Sequence, residues 1–197
     1  FVGGAGDFDI NGRIRNVGNI VAQIPGTVEN LSIALSQENC TLADAVRLKV
    51  FYTPSEICDE ITLINALQNI FPMDPSPVIS TLPVPLQPFQ GQEVQIQVIA
   101  ARGWRKRGDF QFASQPLEVP GVGPSRRPLV TTSLRAGEFI AVSNRTAAHF
   151  NKKLEMSIDG PGQSHIIMPS LQKSLKSVGA SLQDSIKMEG YYFGTTR

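Results

Sequence analysis

The feature that most constrains the fold is a sequence repeat with an offset of 140 residues. The segment "NLSIALSQENCTLADAVRLKVFYT" (30–53) aligns without a gap on "SLQKSLKSVGASLQDSIKMEGYYF" (170–193). The coinciding residues are Leu31 with Leu171, Leu35 with Leu175, Leu42 with Leu182, Asp44 with Asp184 and Tyr52 with Tyr192. Because a repeat of this length is a whole domain, the sequence predicts two fused copies of one fold.

The composition is that of a globular protein with almost no net charge. Eighteen basic and seventeen acidic residues leave a formal charge of +1, and 41% of the 197 residues are hydrophobic. This balance gives no electrostatic footprint for nucleic acid or an anionic membrane, so we expect a small-molecule partner. Cys40 and Cys58 form no CxxC pair and have no nearby histidine, which predicts neither a metal site nor a disulfide scaffold. We expect a cytoplasmic location and no cofactor.

The first copy is predicted to run in the order β-β-α-β-α-β-β. A tight turn at "DINGR" predicts an opening hairpin, and Ile24, Val28, Leu31 and Leu35 recur at helical spacing, with Pro25 in the first turn. A half-buried strand follows over 45–53. The next segment predicts a second helix with Ser55 as its cap. Proline-rich residues 72–88 predict an edge strand, and alternation over 92–101 predicts the last strand.

The remaining chain divides into a connector and a second copy. Residues 105–126 are rich in charge, glycine and proline with little periodicity, which is typical of a connector. The second copy begins near Arg127 and is predicted to contain a hairpin, a helix over 162–179 and a strand over 185–193. By the offset, its second helix and last two strands fall after Arg197. The predicted domains are therefore 1–104 and 127–197, the second incomplete, joined by 105–126.

Four segments resemble the RidA family, also called YjgF. They are "GASLQDSIKMEGYYF", "AGEFIAVS", "NALQNIF" and "EVQIQVIAA", and the stretch Gly179 to Asp184 is the most specific. The resemblance implies an α+β fold of two chorismate-mutase-like domains, each a mixed sheet backed by two helices. It also implies a homo-oligomer, a trimer-like barrel with small-molecule clefts between neighbouring units. The best-known branch of the family hydrolyses imines and enamines and releases ammonia.

The first copy departs from the family at its site residues. The family arginine that holds the substrate carboxylate falls on Ile79, and the family cysteine falls on Thr81. The glutamate that positions water falls on Gln97, which hydrogen-bonds but takes no proton at neutral pH. Only the helix asparagine is kept, as Asn65. Thr81 and Gln97 are therefore catalytic candidates and Asn65 a binding candidate, in a site that lacks the usual anchor.

The second copy offers a replacement for that anchor in the turn "VSNRT". Its serine is kept as Ser143, a catalytic candidate, while Asn144 and Arg145 stand where glycine and glutamine are usual. An arginine that enters the cleft from this turn would hold a carboxylate through its planar fork, so Arg145 and Asn144 are substrate-binding candidates. The alternative is that Arg145 points into solvent. The family tyrosine of the opening strand falls on Val130.

Other conspicuous residues have simpler interpretations. His149 and His165 are too isolated for a metal site, and His165 is typical of a helix surface. The cluster "RGWRKR" suggests RNA binding. The alternative, which the near-zero charge favours, is a solvated strand end with Trp104 packed against the neighbouring copy.

Two functions from different classes remain open. The first is a divergent RidA-type hydrolase that acts on an imine, an enamine or a related C–N substrate, with a degenerate first site. The second is a non-catalytic binding or scaffold module. Tandem copies of this kind resemble those appended to eukaryotic diphthine ammonia ligases.

Overall fold

The described part of the chain is a mixed α+β structure. A computed structural model describes residues 1–117, 119, 122–146 and 160–191, and in these ranges it contains two sheets and four α-helices. The elements are β1 (Val2–Ala5), α1 (Ile20–Gln37), β2 (Ala45–Tyr52), α2 (Glu60–Ile70), β3 (Val78–Pro83), β4 (Val94–Ala100), α3 (Trp104–Arg107), β5 (Phe110–Pro116), β6 (Leu129–Ala136), β7 (Phe139–Val142) and α4 (Gly160–Lys176). None of the described helices combines the length and apolar character that a membrane crossing requires.

The first sheet has the strand order β1-β4-β2-β3. β2 and β3 are parallel, whereas β4 is antiparallel to both β1 and β2. Alternate residues of β4, namely Val94, Ile96 and Val98, are buried in the main hydrophobic cluster together with residues of α1 and α2. One face of the sheet is thus covered by two helices, as the sequence predicts. β3 lies at the edge, which confirms the interpretation of the proline-rich segment.

Helix α1 begins earlier than the sequence predicts. The Asn19 side chain accepts a hydrogen bond from the backbone N–H of Ala22 and caps the helix, so Ile20 is its first residue. Pro25 therefore lies inside the helix rather than in its first turn, and the prediction for Pro25 is wrong. The following carbonyl, that of Gly26, accepts a hydrogen bond from the Arg15 guanidinium at 2.8 Å, so a side chain supports the helix near its proline.

Helix α2 begins later than predicted, and its cap is another residue. Asp59 accepts a hydrogen bond from the Thr62 backbone N–H at 2.8 Å, so the helix begins at Glu60. Ser55, the predicted cap, instead forms an isolated bridge with Cys58. An ionised aspartate is favoured over a serine at this position because it also interacts with the positive end of the helix dipole.

The predicted opening hairpin is only partly formed. β1 pairs with β4, and the segment after it contributes a single isolated bridge between Phe8 and Ile14 rather than a strand. The "DINGR" turn itself is present, with Asp9 accepting hydrogen bonds from the backbone of Asn11 and Arg13. The turn is thus held by the Asp9 side chain together with backbone hydrogen bonds, including one from the Asp9 N–H to the Arg13 carbonyl.

The segment interpreted as a connector contains regular structure. Residues 105–126 include most of α3 and all of β5, and β5 pairs antiparallel with β6 along its whole length. The segment predicted to be an interdomain connector therefore contains a strand that the sequence does not predict. Its alternation is weak because β5 is largely exposed and carries few apolar side chains to mark a buried face.

The second sheet has the order β5-β6-β7, and the predicted hairpin of the second copy is its β6-β7 pair. α4 lies beside these strands and confirms the predicted helix over 162–179, although it begins at Gly160. The predicted strand over 185–193 is not a strand within the described residues 185–191, since no neighbouring strand supplies it with a ladder. Tyr192 and Phe193 lie outside the described residues.

Local structure recurs at the offset of 140 residues. Leu42–Asp44 and Leu182–Asp184 are both short 3₁₀ helices closed by a capping box with the aspartate. Each follows a left-handed residue at the same repeat position, Asn39 with φ 52° and Gly179 with φ 72°. The repeated sequence therefore encodes one repeated turn.

Equivalent residues of the two repeats also contact each other. The Lys49 Nζ donates to Glu189 at 2.7 Å, and the Phe51 and Tyr191 rings meet edge to face. Lys49 also lies within 4.8 Å of the Tyr191 ring centre. Hydrogen bonds from Lys49 and Lys187 lower the pKa of Glu189 to about 2. In the Lys49–Glu189 and Phe51–Tyr191 pairs the partner is the residue 140 positions away, so these contacts join one repeat to the other.

The junction between the two sheets is closed by Trp104. Its side chain is fully buried in a cluster that includes Val46 and Val78 of the first sheet and Leu134 of the second. Trp104 therefore packs between the two sheets, and the two-copy organisation stays a prediction. Arg105 stacks on the Trp104 ring at 4.1 Å. The arginines of the "RGWRKR" cluster donate to backbone carbonyls, Arg102 to that of Glu38 and Arg105 to those of Ala43 and Pro75.

Candidate functional site

A cleft of about 580 Å³ lies between elements of the two sheets. Its first wall comes from α2 and β3, and its second wall comes from β5, β6, the turn after β7 and α4. This volume lies within the range of small-molecule sites, which are about 300–1,000 Å³. The cleft therefore needs both walls, because neither provides a complete lining.

Arg145 lies in this cleft, on the wall formed by the second copy. Its Nη1 donates to the Ser143 hydroxyl at 2.5 Å and to the Asn144 carbonyl at 3.0 Å. Its Nη2 donates to Ser174 at 3.0 Å, and its Nε donates to Ser170 at 3.3 Å. Ser170 and Ser174 are one turn apart on α4, so they face the same direction. Three hydroxyls thus hold the guanidinium in a fixed orientation.

Every hydrogen-bond acceptor that the described residues offer to Arg145 is electrically neutral. Among the described residues no carboxylate lies within ion-pair distance of its guanidinium. Burial lowers the pKa of Arg145 below its ordinary value, yet an arginine stays charged at neutral pH. A partly buried cation with neutral neighbours favours binding of an anionic ligand. A serine hydroxyl also rotates away from Arg145 to admit a ligand more readily than a paired carboxylate would. The position is therefore suited to a ligand carboxylate.

Asn144 connects the Arg145 turn to the first copy. Its side-chain amide donates to the Thr81 carbonyl at 2.9 Å, and its backbone N–H donates to the Ser80 hydroxyl at 3.2 Å. Both bonds cross from the second copy to β3. The Asn144 side chain therefore positions the turn, and the amide N–H that donates to Thr81 is not available to a ligand.

Glu60 faces the cleft from the first turn of α2. The Thr81 hydroxyl donates to its carboxylate at 2.5 Å, which fixes the carboxylate on the wall opposite α4. Burial raises the pKa of Glu60 above its ordinary value; the Thr81 bond lowers it and the charge of Asp59 raises it further. A carboxylate with a raised pKa in a cleft is suited to accept and return a proton.

The structure brings together four of the six residues that the sequence singles out. Thr81, Ser143, Asn144 and Arg145 line the cleft. Gln97 does not. It lies opposite Lys49 in the β2-β4 register, on the sheet face away from the helices.

Asn65 is also outside the cleft, on the exposed side of α2. The two residues that fall where the family has arginine and tyrosine, Ile79 and Val130, form part of the cleft floor. The candidates that line the cleft therefore come from both repeats of the sequence.

Glu60 is the residue that sequence reasoning missed. It is four positions before the buried Ile64 and seven before the buried Leu67, so helical spacing places it on the apolar side of α2. A carboxylate on an apolar stripe is a signal for a functional group. The predicted cap at Ser55 is four residues before the observed cap at Asp59, so it does not place Glu60 in the first turn of the helix at the rim of the cleft.

Metal ligands do not cluster in the part of the chain that the structure describes. No group of three or more histidine, cysteine, aspartate or glutamate residues in those ranges could hold an ion. His165 is exposed on α4, and His149 lies outside the described residues. The chemistry of the cleft is that of Glu60, Arg145 and the hydroxyl groups around them.

Comparison with known proteins gives a match among solved structures alone. No family model matches the chain, and no curated protein does. A YjgF-family protein from Mycobacterium tuberculosis is 26% identical with a TM-score of 0.41, and the match covers 50% of this chain and 74% of that chain. RidA from an Antarctic Psychrobacter is 22% identical with a TM-score of 0.41, covering 50% and 76%.

A third solved structure belongs to the same family. The Rid-family protein YyfB from Yersinia pestis is 19% identical with a TM-score of 0.44, covering 51% of this chain and 75% of that chain. The predicted resemblance is confirmed: the solved structures that match about half of this chain are members of the RidA/YjgF family.

Proposed function

We propose that the cleft between the copies is the site of a divergent RidA-type hydrolase that acts on a carboxylate-bearing imine or enamine and releases ammonia. The observation that carries the proposal is the pairing of an oriented Arg145, free of carboxylates among the described residues, with Glu60 on the opposite wall. Arg145 takes the role of anchor, which the resemblance assigns to a position occupied here by Ile79.

The proposed reaction needs one proton acceptor that becomes a donor. Arg145 holds the carboxylate, and water attacks the carbon of the protonated C=N bond while Glu60 accepts a proton from that water. The C–O bond forms and the C=N π electrons move to nitrogen, which gives a carbinolamine. Glu60 then returns the proton to nitrogen. As the C–N bond breaks, the hydroxyl oxygen forms the C=O bond and gives its proton to Glu60, so that a 2-oxo acid and ammonia leave; Glu60 passes that proton to ammonia or solvent and is again ionised.

The test is the rate at which the full 197-residue chain hydrolyses an α-imino acid generated in situ by an amino-acid oxidase, relative to buffer alone. Arg145→Lys should raise KM about tenfold or more with a smaller change in kcat, because an ammonium cannot reproduce the bidentate fork. Arg13→Lys, an exposed arginine far from the cleft, is the matched control and should behave as the unchanged protein.

Two results would contradict the proposal. The first is hydrolysis no faster than in buffer. The second is an Arg145→Ala variant that retains the KM of the unchanged protein.

The second candidate function is a non-catalytic binding or scaffold module, such as the tandem appendage of a diphthine ammonia ligase. It is favoured by the existing hydrogen bonds of Arg145, because each of its three side-chain nitrogens already donates to a neutral group. It predicts that carboxylates bind in an Arg145-dependent manner while no substrate turns over. The hydrolysis assay together with a binding titration separates the two functions.

We propose that the chain also assembles into the trimer-like barrel that the resemblance implies, in a cytoplasmic setting. The support is a sheet face, opposite α1 and α2, on which Gln95, Gln97 and Ile99 remain half-exposed. Light scattering at micromolar concentration is expected to give an oligomer, and a stable monomer would remove this part of the proposal.

A further inference from the structure

The floor of the cleft is a continuous apolar surface. It consists of Ile64 from α2, Ile79 from β3 and Val130 from β6, all of which belong to one hydrophobic cluster, and Leu117 packs against it. Their exposed fractions are 1%, 6% and 8%, so each touches the cavity with a small part of an otherwise buried side chain. A floor of this kind is ready to take apolar ligand surface without rearrangement.

The cavity is much larger than the smallest α-imino acids. A three-carbon 2-oxo or imino acid has about six non-hydrogen atoms, and at roughly the 30 Å³ that one water occupies in the liquid each, these fill about 180 Å³ at most. That is under a third of the 580 Å³ in the cleft. Arg145 binds the carboxylate and Glu60 acts at the C=N group. The remaining space is therefore left for the side chain of the substrate.

The charged residues that line the cavity indicate whether the substrate side chain is charged or apolar. In the described lining the charged groups are Glu60, Arg145 and Lys173, and Lys173 is exposed to solvent on α4. The apolar floor residues come from three different elements and make one patch, whereas Lys173 stands alone at the surface. The larger favourable contact is therefore apolar.

We infer that the cleft selects substrates with an apolar side chain of at least four carbons, branched or aromatic, as in the imino acids of leucine and phenylalanine. This inference rests on the proposed function of the same cleft. Ile64, Ile79 and Val130 determine the selectivity, and Arg145 supplies the affinity that all carboxylates share.

Binding of stable 2-oxo acids to the full chain tests the inference. These keep the carboxylate and the planar carbon of an imino acid and carry oxygen in place of nitrogen. Calorimetric titration should give 4-methyl-2-oxopentanoate a Kd about ten- to a hundredfold below that of pyruvate, since each buried methylene contributes about fourfold. The heat-capacity change should also be more negative for the larger ligand.

Matched variants assign the effect to the floor. Val130→Thr replaces one methyl group of the floor with a hydroxyl at nearly the same volume, and should reduce the preference for 4-methyl-2-oxopentanoate over pyruvate. Val21→Thr makes the same change at an exposed position on α1 and should leave both Kd values unchanged.

The outcomes separate this inference from the proposal beneath it. Equal affinity for pyruvate and 4-methyl-2-oxopentanoate overturns the apolar selectivity, and so does tightest binding of 2-oxoglutarate, which would point to Lys173. Absence of binding by all three acids overturns the proposed function itself.

Discussion

Replacing Glu60 with glutamine is expected to lower kcat for imine hydrolysis by about a hundredfold to ten-thousandfold, the usual contribution of a general acid–base group. Glutamine preserves the size of the side chain and accepts the Thr81 hydrogen bond, but it cannot take a proton from water. KM should change little because Arg145, not Glu60, holds the carboxylate. Glu56→Gln, an exposed residue before the same helix, is the matched control and should retain full activity.

The pH dependence gives a second readout for Glu60. As a general base it must be ionised, so kcat should fall as the pH decreases through its pKa. Burial raises that pKa, so the fall should occur at higher pH than for an ordinary glutamate. The residual activity of the Glu60→Gln variant should lack this step. An unchanged profile in the variant, or a loss of less than about fivefold in kcat, would remove Glu60 from the mechanism.

Trp104→Ala is expected to have the largest effect on stability. Truncating a fully buried aromatic costs about 3–5 kcal/mol, which is a large part of the 5–15 kcal/mol that a typical domain has in total. Trp104 contacts Phe110 edge to face at 5.2 Å and lies in the cluster that joins the two sheets. Its loss should therefore also weaken the cleft between the copies.

Urea unfolding followed by circular dichroism measures this effect, because Trp104 is the single tryptophan and fluorescence would be lost with it. Leu86→Ala, at a side chain that is 73% exposed, is the control and should change the unfolding free energy by about 0.5 kcal/mol or less. A loss below about 1 kcal/mol for Trp104→Ala would mean that the two sheets are held together elsewhere.

The sequence predicts the elements of this protein better than their boundaries. Ile24, Val28, Leu31 and Leu35 are buried along α1 as their spacing indicates. The sequence predicts a later start for α1 because a proline is most favourable in the first turn, whereas Asn19 caps the helix six residues before Pro25. A proline inside α1 is tolerated because packing of the buried face of the helix outweighs the one backbone hydrogen bond that Pro25 cannot donate.

Only part of the candidate site can be predicted from the sequence, and the reason is physical. The turn that carries Ser143, Asn144 and Arg145 is local, so its residues could be identified from a short motif. Its neighbours, Glu60 of α2 and Ser170 and Ser174 of α4, come together only through the packing of the two copies. β5 was missed for the opposite reason, because an exposed strand shows almost no periodicity.

The central claim is that Arg145 anchors a carboxylate in the cleft between the copies, and a crystal structure with bound pyruvate tests it most directly. The account predicts that the pyruvate carboxylate lies about 2.8 Å from the Arg145 nitrogens, the spacing of a charge-assisted hydrogen bond. It also predicts that at least one serine hydroxyl turns away from Arg145 and that the carbonyl carbon faces Glu60. Pyruvate bound only against Lys173, or outside the cleft, would contradict the account.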